Sequence, residues 1–203
     1  ESPGRPLDES RRALVEAGEA ADIALGFEGG PPGLGVIARR SSSSWRGDVT
    51  ATTAPSSGGF RDGVGAGAIY EAARILEDFY AELRGEENLT FNAATIVGGT
   101  EATWDATTAR GEAFGKTNVV PPAAVITGDI RTITDEQLQR TRRKMQAIVD
   151  RSLPGTSAEI TFSDGYPSMP PTDGNRALLE LFSEVSVDLG TGPVEAFDPG
   201  PRG

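Results

Sequence analysis

The sequence predicts an α+β fold, an antiparallel β-sheet with two helices on one face. Three observations carry this. Strand-like runs at 34–40, 45–52, 91–97, 119–131 and 158–162 are interrupted by two amphipathic helical runs, at 65–84 and from Thr134 onward. In chain order this is strand, strand, helix, strand, strand, helix, strand, an alternation that places helices on one side of an antiparallel layer. Breakers bracket the block: Gly29-Gly30-Pro31-Pro32-Gly33 precede it, and Pro167, Pro170 and Pro171 follow it. The expected organisation is a central domain at 31–168, with 1–30 and 169–203 as pieces of a different one.

Each element has its own local reason. Residues 8–18 suit a short helix, with Ala13, Leu14 and Ala17 on one face, and 23–27 is expected to be a short buried strand. Serines join the strands 34–40 and 45–52, and a Gly/Ser loop fills 55–64. In the helix 65–84, Ile69, Ala72, Ala73, Leu76, Phe79, Tyr80 and Leu83 recur at helical spacing, and Gly85 stops it. After the strand 91–97, the polar stretch 102–114 is expected to be a hairpin-like excursion. Thr134 and Gln137 form a capping box for the second helix, whose inner side is Leu138, Met145, Ile148 and Val149. Leu153-Pro154-Gly155 ends it. A third helix at 175–189 directs Leu178, Leu181, Phe182 and Val185 one way, and 194–197 is a candidate last strand.

Composition excludes several functions. The chain has 203 residues and a net charge of −11. An acidic surface does not displace counterions from a duplex, so no nucleic-acid partner is expected. No apolar run approaches the ~18–20 residues of a membrane span, so no membrane partner is expected either. Cysteine and histidine are both absent. Thiolate chemistry and disulfides are therefore out, and the compartment stays open. The chain does not begin with Met, so a soluble, exported protein is compatible with it.

Two glycine motifs mislead. Gly111-Glu112-Ala113-Phe114-Gly115-Lys116-Thr117 has one residue too few between its glycines for a phosphate loop, and Val119-Val120-Pro121-Pro122 forbids the helix that must follow. Gly63-Val64-Gly65-Ala66-Gly67-Ala68 opens a helix but follows a loop, not the strand that a dinucleotide site requires.

Thr90-Phe91-Asn92-Ala93-Ala94-Thr95-Ile96-Val97-Gly98-Gly99, followed by Gly115-Lys116-Thr117-Asn118-Val119-Val120-Pro121-Pro122 and by Gly128-Asp129-Ile130-Arg131, resembles the lid or dimerisation domain of the zinc aminoacylase, glutamate carboxypeptidase and desuccinylase family of metallopeptidases. Ala38-Arg39-Arg40-Ser41 and Thr53-Ala54-Pro55-Ser56-Ser57-Gly58 resemble the first lid strands, and 65–83 the long lid helix. The resemblance implies a ferredoxin-like lid flanked by fragments of an α/β catalytic domain. It implies a homodimer, two zinc ions in the intact parent, and amide or peptide hydrolysis of a small carboxylate-bearing substrate, as in a carboxypeptidase or aminoacylase. Glu1 and Glu28 would be two of the metal ligands, and Asn118 and Arg131 would face the substrate. Each has a plain alternative: a chain end, a residue before a Gly-Pro turn, a turn Asn, and a strand-end Arg paired with an acid such as Asp135. The family's H-x-D, the first Glu of its Glu-Glu pair and its late His have no counterpart here, and its lid His position is Pro55. The chain alone is therefore expected to hold no zinc and to be inactive by itself. The alternative function is a dimerisation module that keeps the lid fold without the metal chemistry.

Overall fold

The computed structural model describes residues 11–27 and 30–200. Period-two alternation builds its centre. β2 (Ser43–Ala51), β4 (Thr90–Gly99), β8 (Ala123–Arg131) and β9 (Thr156–Asp164) form a four-stranded sheet in the order β4-β8-β2-β9, every neighbour antiparallel. Helices α2 (Ala68–Leu83) and α3 (Asp135–Val149) cross over one face. The result is the expected α+β layer with the strand order of a ferredoxin-like βαββαβ unit. Short elements surround it: α1 (Arg12–Glu19), β1 (Leu34–Gly35), β3 (Ala54–Pro55), the hairpin β5 (Glu101–Asp105) and β6 (Arg110–Phe114), β7 (Val119–Val120), α4 (Asp173–Asp188) and β10 (Glu195–Ala196). None of the described helices is long and apolar enough to cross a membrane.

The core lies between the sheet and the two helices. Ile75, Phe79 and Leu83 of α2 and Met145, Ile148 and Val149 of α3 meet Trp45, Val49, Ile126 and Ile130 of the sheet. Each fully buried side chain of this size contributes roughly 1.5–3 kcal/mol. Trp45 stands edge-on to Phe79, with ring centroids 5.4 Å apart. Its indole also lies on Gly128, where a Cβ would come within 2.5 Å of Trp45 Cζ2. Only glycine admits the ring at that point of β8.

Several expectations need correction. Residues 23–27 form no strand, and Ile23, Leu25 and Phe27 are exposed, because no described element packs on them. The run 34–40 is not one strand: Leu34–Gly35 pairs in parallel with β10, and Arg39 bridges Met169. On α2, Ile69, Ala73 and Tyr80 point outward, and Glu71 takes an inner position instead. No residue of α4 is fully buried, although its apolar stripe is well formed. Thr134 caps α3 as expected through Gln137 N, but Gln137 Oε1 accepts from Ile133 N rather than from Thr134.

Among the described residues, Glu71 is the one fully buried carboxylate. Its Oε1 accepts from Arg74 Nη2 at 2.5 Å, and its Oε2 from Leu153 N at 2.8 Å and Arg74 Nε at 3.2 Å. Arg74 also donates to Ile148 O and Asp78. One ion pair thus joins α2, the end of α3 and the turn before β9. Removing one partner of such a buried pair strands the other charge, at a cost of about 3–5 kcal/mol. Glu71→Ala is expected to lower urea stability by that amount, and a loss below ~1 kcal/mol would show the pair to be dispensable.

Candidate functional site

The side of the sheet away from α2 and α3 is polar and open. Alternation sends Ile130 into the core, where it is fully buried, and sends Asp129 and Arg131 to the other face. Arg131 Nε donates to Asp129 Oδ2 at 3.2 Å, so its acidic partner is Asp129 and not Asp135. On β2, Arg46 holds Asp48 Oδ1 through Nη2 at 2.7 Å. Thr90 on β4 stands opposite Arg131. It accepts at 2.7 Å from Nη1 of Arg40, a residue that is only 8% exposed.

Asn118 lies elsewhere. It occupies the exposed turn before β7, and its carbonyl accepts from Ser56 N at 2.8 Å. β7 pairs with β3, placing Val119 opposite Pro55. Asn118 therefore sits beside the Pro55 turn, at the start of β8, and Arg131 sits at its end. The nine residues of β8 separate these ends by about 26 Å. Within the chain the two candidates do not share a pocket. Glu1 and Glu28 lie outside the described residues. Among the described residues, no group of three or more potential ligands is placed to hold a metal ion.

A second feature is apolar. β4 is an edge strand, bulged at Ala93/Thr95, and α2 runs above it. Ile69, Tyr70 and Tyr80 of α2 and Ile96 of β4 are exposed together, Ile69 lying against Gly98. A shallow groove between the two elements is lined by Trp45, Leu76, Phe79, Tyr80, Phe91 and Ala93. Sequence periodicity groups Ile69 and Tyr80 with the residues that recur at helical spacing, and periodicity reports that a face is apolar and not what covers it. Sequence reasoning also passed over Arg40, whose reach to Thr90 crosses the intervening strand β8.

Comparison with known proteins agrees with this fold. A family profile described as a peptidase dimerisation domain matches residues 38–157, more than half of the chain. An IAA-amino acid hydrolase ILR1-like 4 of Arabidopsis thaliana is 28% identical over 86 residues, covering 41% of this chain and 20% of that protein. Aminopeptidase PepT of Bacillus cereus superposes with a TM-score of 0.60 at 18% identity, over 85% of this chain and 42% of that one. An aminobenzoyl-glutamate utilization protein of Klebsiella pneumoniae gives 0.55 at 17% identity, over 92% and 46%. The chain thus spans a fifth of that curated relative and less than half of these two solved structures.

Zinc in proteins is held by His nitrogen, Cys sulfur and carboxylate oxygen, and only the last is present here. Calorimetric titration of the chain with zinc at neutral pH is expected to show no stoichiometric uptake. A tight 1:1 or 2:1 isotherm would contradict this.

Proposed function

The chain belongs to the peptidase dimerisation-domain family, and we propose that it is the lid and dimerisation portion of a zinc-dependent amide or peptide hydrolase that works as a homodimer. The observation that carries this reading is the uncovered α2–β4 edge. An edge strand offers unpaired backbone groups to another chain, and monomers usually blunt it with charge or cover it. Here the edge carries Ile96, and Ile69 and Tyr80 rise beside it. Two-fold pairing of identical edges would bury this surface and extend the sheet. The catalytic residues and the zinc ligands of such a hydrolase would come from the rest of the parent, two zinc ions supplying an activated water and a Lewis acid. The relatives named for an amino-acid conjugate, a peptide and a glutamate amide favour a small substrate bearing a free carboxylate. Arg131 is the residue of this chain suited to it, because its planar fork makes parallel charge-assisted hydrogen bonds.

The chain is expected to run as a dimer by light scattering at tens of micromolar and moderate salt. Ile96→Asp should raise the dissociation constant at least about tenfold, or ~1.4 kcal/mol, without lowering Tm. Thr161→Asp, on the opposite edge strand, should leave the mass unchanged. A monomeric parent chain, or equal effects at both edges, would end the edge-pairing reading.

In the full-length parent, Arg131→Lys keeps the charge and loses the fork. kcat/KM for a carboxylate-bearing substrate should fall by roughly 2–3 kcal/mol. The loss should shrink for the analogue with its carboxylate amidated. Lowered folding stability with kcat/KM intact would make Arg131 a structural strand-end residue.

A further inference from the structure

The bulge in β4 places a polar pair inside the apolar groove under α2. Trp45 is 2% exposed, and its Nε1–H has no hydrogen-bond acceptor among the described residues. Its ring lies over Gly128 of β8, the residue that pairs with Ala93 on the edge strand. A Cβ built on Gly128 would stand 2.6 Å from Trp45 Cε2, the atom bonded to Nε1, and 1.8 Å from Asn92 O. The indole edge and the Asn92 carbonyl therefore flank one point on the helix side of the bulge. Trp45, Asn92 and Ala93 line the groove together with Phe91 and with Leu76 and Tyr80 of α2, and its volume is about 290 Å³. None of its lining residues is charged. The Tyr80 hydroxyl is already engaged, because Arg84 Nη1 donates to it at 2.8 Å.

We propose that this groove binds a small uncharged phenol, whose hydroxyl accepts from Trp45 Nε1 and donates to Asn92 O while its ring lies among Leu76, Tyr80 and Phe91. A buried donor without an acceptor is costly, and such groups are nearly always paired. A hydroxyl both donates and accepts, so one oxygen answers the indole N–H and the carbonyl together. A carbonyl oxygen has two lone pairs, so Asn92 O can take this proton in addition to any bond within the sheet. The aromatic walls offer a ring the edge and face contacts that such rings prefer. A carboxylate or an ammonium would lose its hydration here and meet no counter-charge, which excludes ionic ligands. The volume suits one ring with a short substituent, at the small end of ligand sites. Nothing in this site depends on a metal or on the chemistry of the parent.

The test titrates the 203-residue chain with 4-methylphenol and follows the N–H signals of its two indoles, assigned with Trp104→Phe. The Trp45 signal should move and saturate while that of Trp104 stays. Toluene, which lacks the hydroxyl, and 4-methylanisole, which lacks its proton, should each bind at least threefold more weakly. Ala93→Leu adds bulk on the exposed edge strand and should weaken 4-methylphenol at least tenfold with the fold unchanged. Ile96→Asp, which opens the proposed dimer, should leave the affinity as it is. A Trp45 signal that does not move would overturn the inference. So would toluene binding as tightly as 4-methylphenol, because the N–H then plays no part, or an Ala93→Leu chain that binds undiminished. Binding only in the Ile96→Asp chain would assign the groove to a second copy of the chain. A water cross-peak at the Trp45 N–H that survives saturation would assign the donor to bound water. Either result overturns the phenol site.

Discussion

Glu71 brings a charge into a layer that excludes water, and the way that charge is met fixes the geometry of the helical face. The carboxylate is too costly to bury alone, so Arg74, one turn along the same helix, neutralises it, and α2 docks where Leu153 N donates to its second oxygen. Arg74 in turn reaches Ile148 O, which places the end of α3. A second, more exposed tie closes the other end of the pair: Gln137 and Arg140 hold Glu86, and they keep its carboxyl below the usual range. Hydrophobic burial drives the layer together without direction. These polar ties supply the direction, and the sheet beneath inherits a defined orientation relative to both helices.

A sheet covered on one face leaves three things unsatisfied, and each coincides with a proposed role. The uncovered face must be polar, and here it carries Arg46–Asp48 and Arg131–Asp129 instead of threonine and serine alone. The edge β4 must be blunted or paired, and its exposed residues include Ala93, Ala94 and Ile96 beside the polar Thr90 and Asn92. The third is the pair of connections to the flanking segments. They enter and leave side by side, tied by mutual hydrogen bonds between Arg39 and Met169 and between Ser42 and the Gly165–Tyr166 turn. A domain joined at one paired double connection keeps both other surfaces free for other bodies.

How much of this was legible in the sequence follows from the range of each interaction. The helix expected over 65–84, the cap at Thr134 and the alternation at Ile130 are local, and the structure has all three, the helix starting three residues later at Ala68. The family resemblance rested on short ordered segments, and the family profile covers the same stretch. What failed was relational. The run 23–27 is apolar enough for a strand, but a strand needs a neighbour, and no described strand lies beside it. Ile69 and Tyr80 satisfy helical periodicity as well as Ile75 does, and only the sheet position decides which stripe faces inward. Arg40 is the sharpest case. Its face could have been counted from Ile130 by alternation, but its partner Thr90 becomes adjacent only once the order β4-β8-β2 is known.

That same strand order resolves the separation of Asn118 from Arg131. Within the chain they lie toward opposite ends of β8, whose nine residues span about 26 Å, with Asn118 in the turn before β7. β4 runs antiparallel to β8, so its Thr90 end lies beside Arg131 and its Gly99 end beside Ala123, near the turn that holds Asn118 and Pro55. In the proposed two-fold pairing of β4 with its copy, the strands run antiparallel, and each Thr90 end adjoins the partner's Gly99 end. The Arg131 corner of one subunit then lies level with the Asn118 turn of the other. Only β4 and its copy intervene, and three inter-strand spacings amount to about 14 Å. Two residues too far apart to serve one small substrate within a chain would come within reach of it across such an interface. The dimer edge and the candidate substrate residues are on this account one requirement. In that proposed dimer the apolar stripe on α2 and β4 would bring together the two ends of β8 that the fold itself keeps apart.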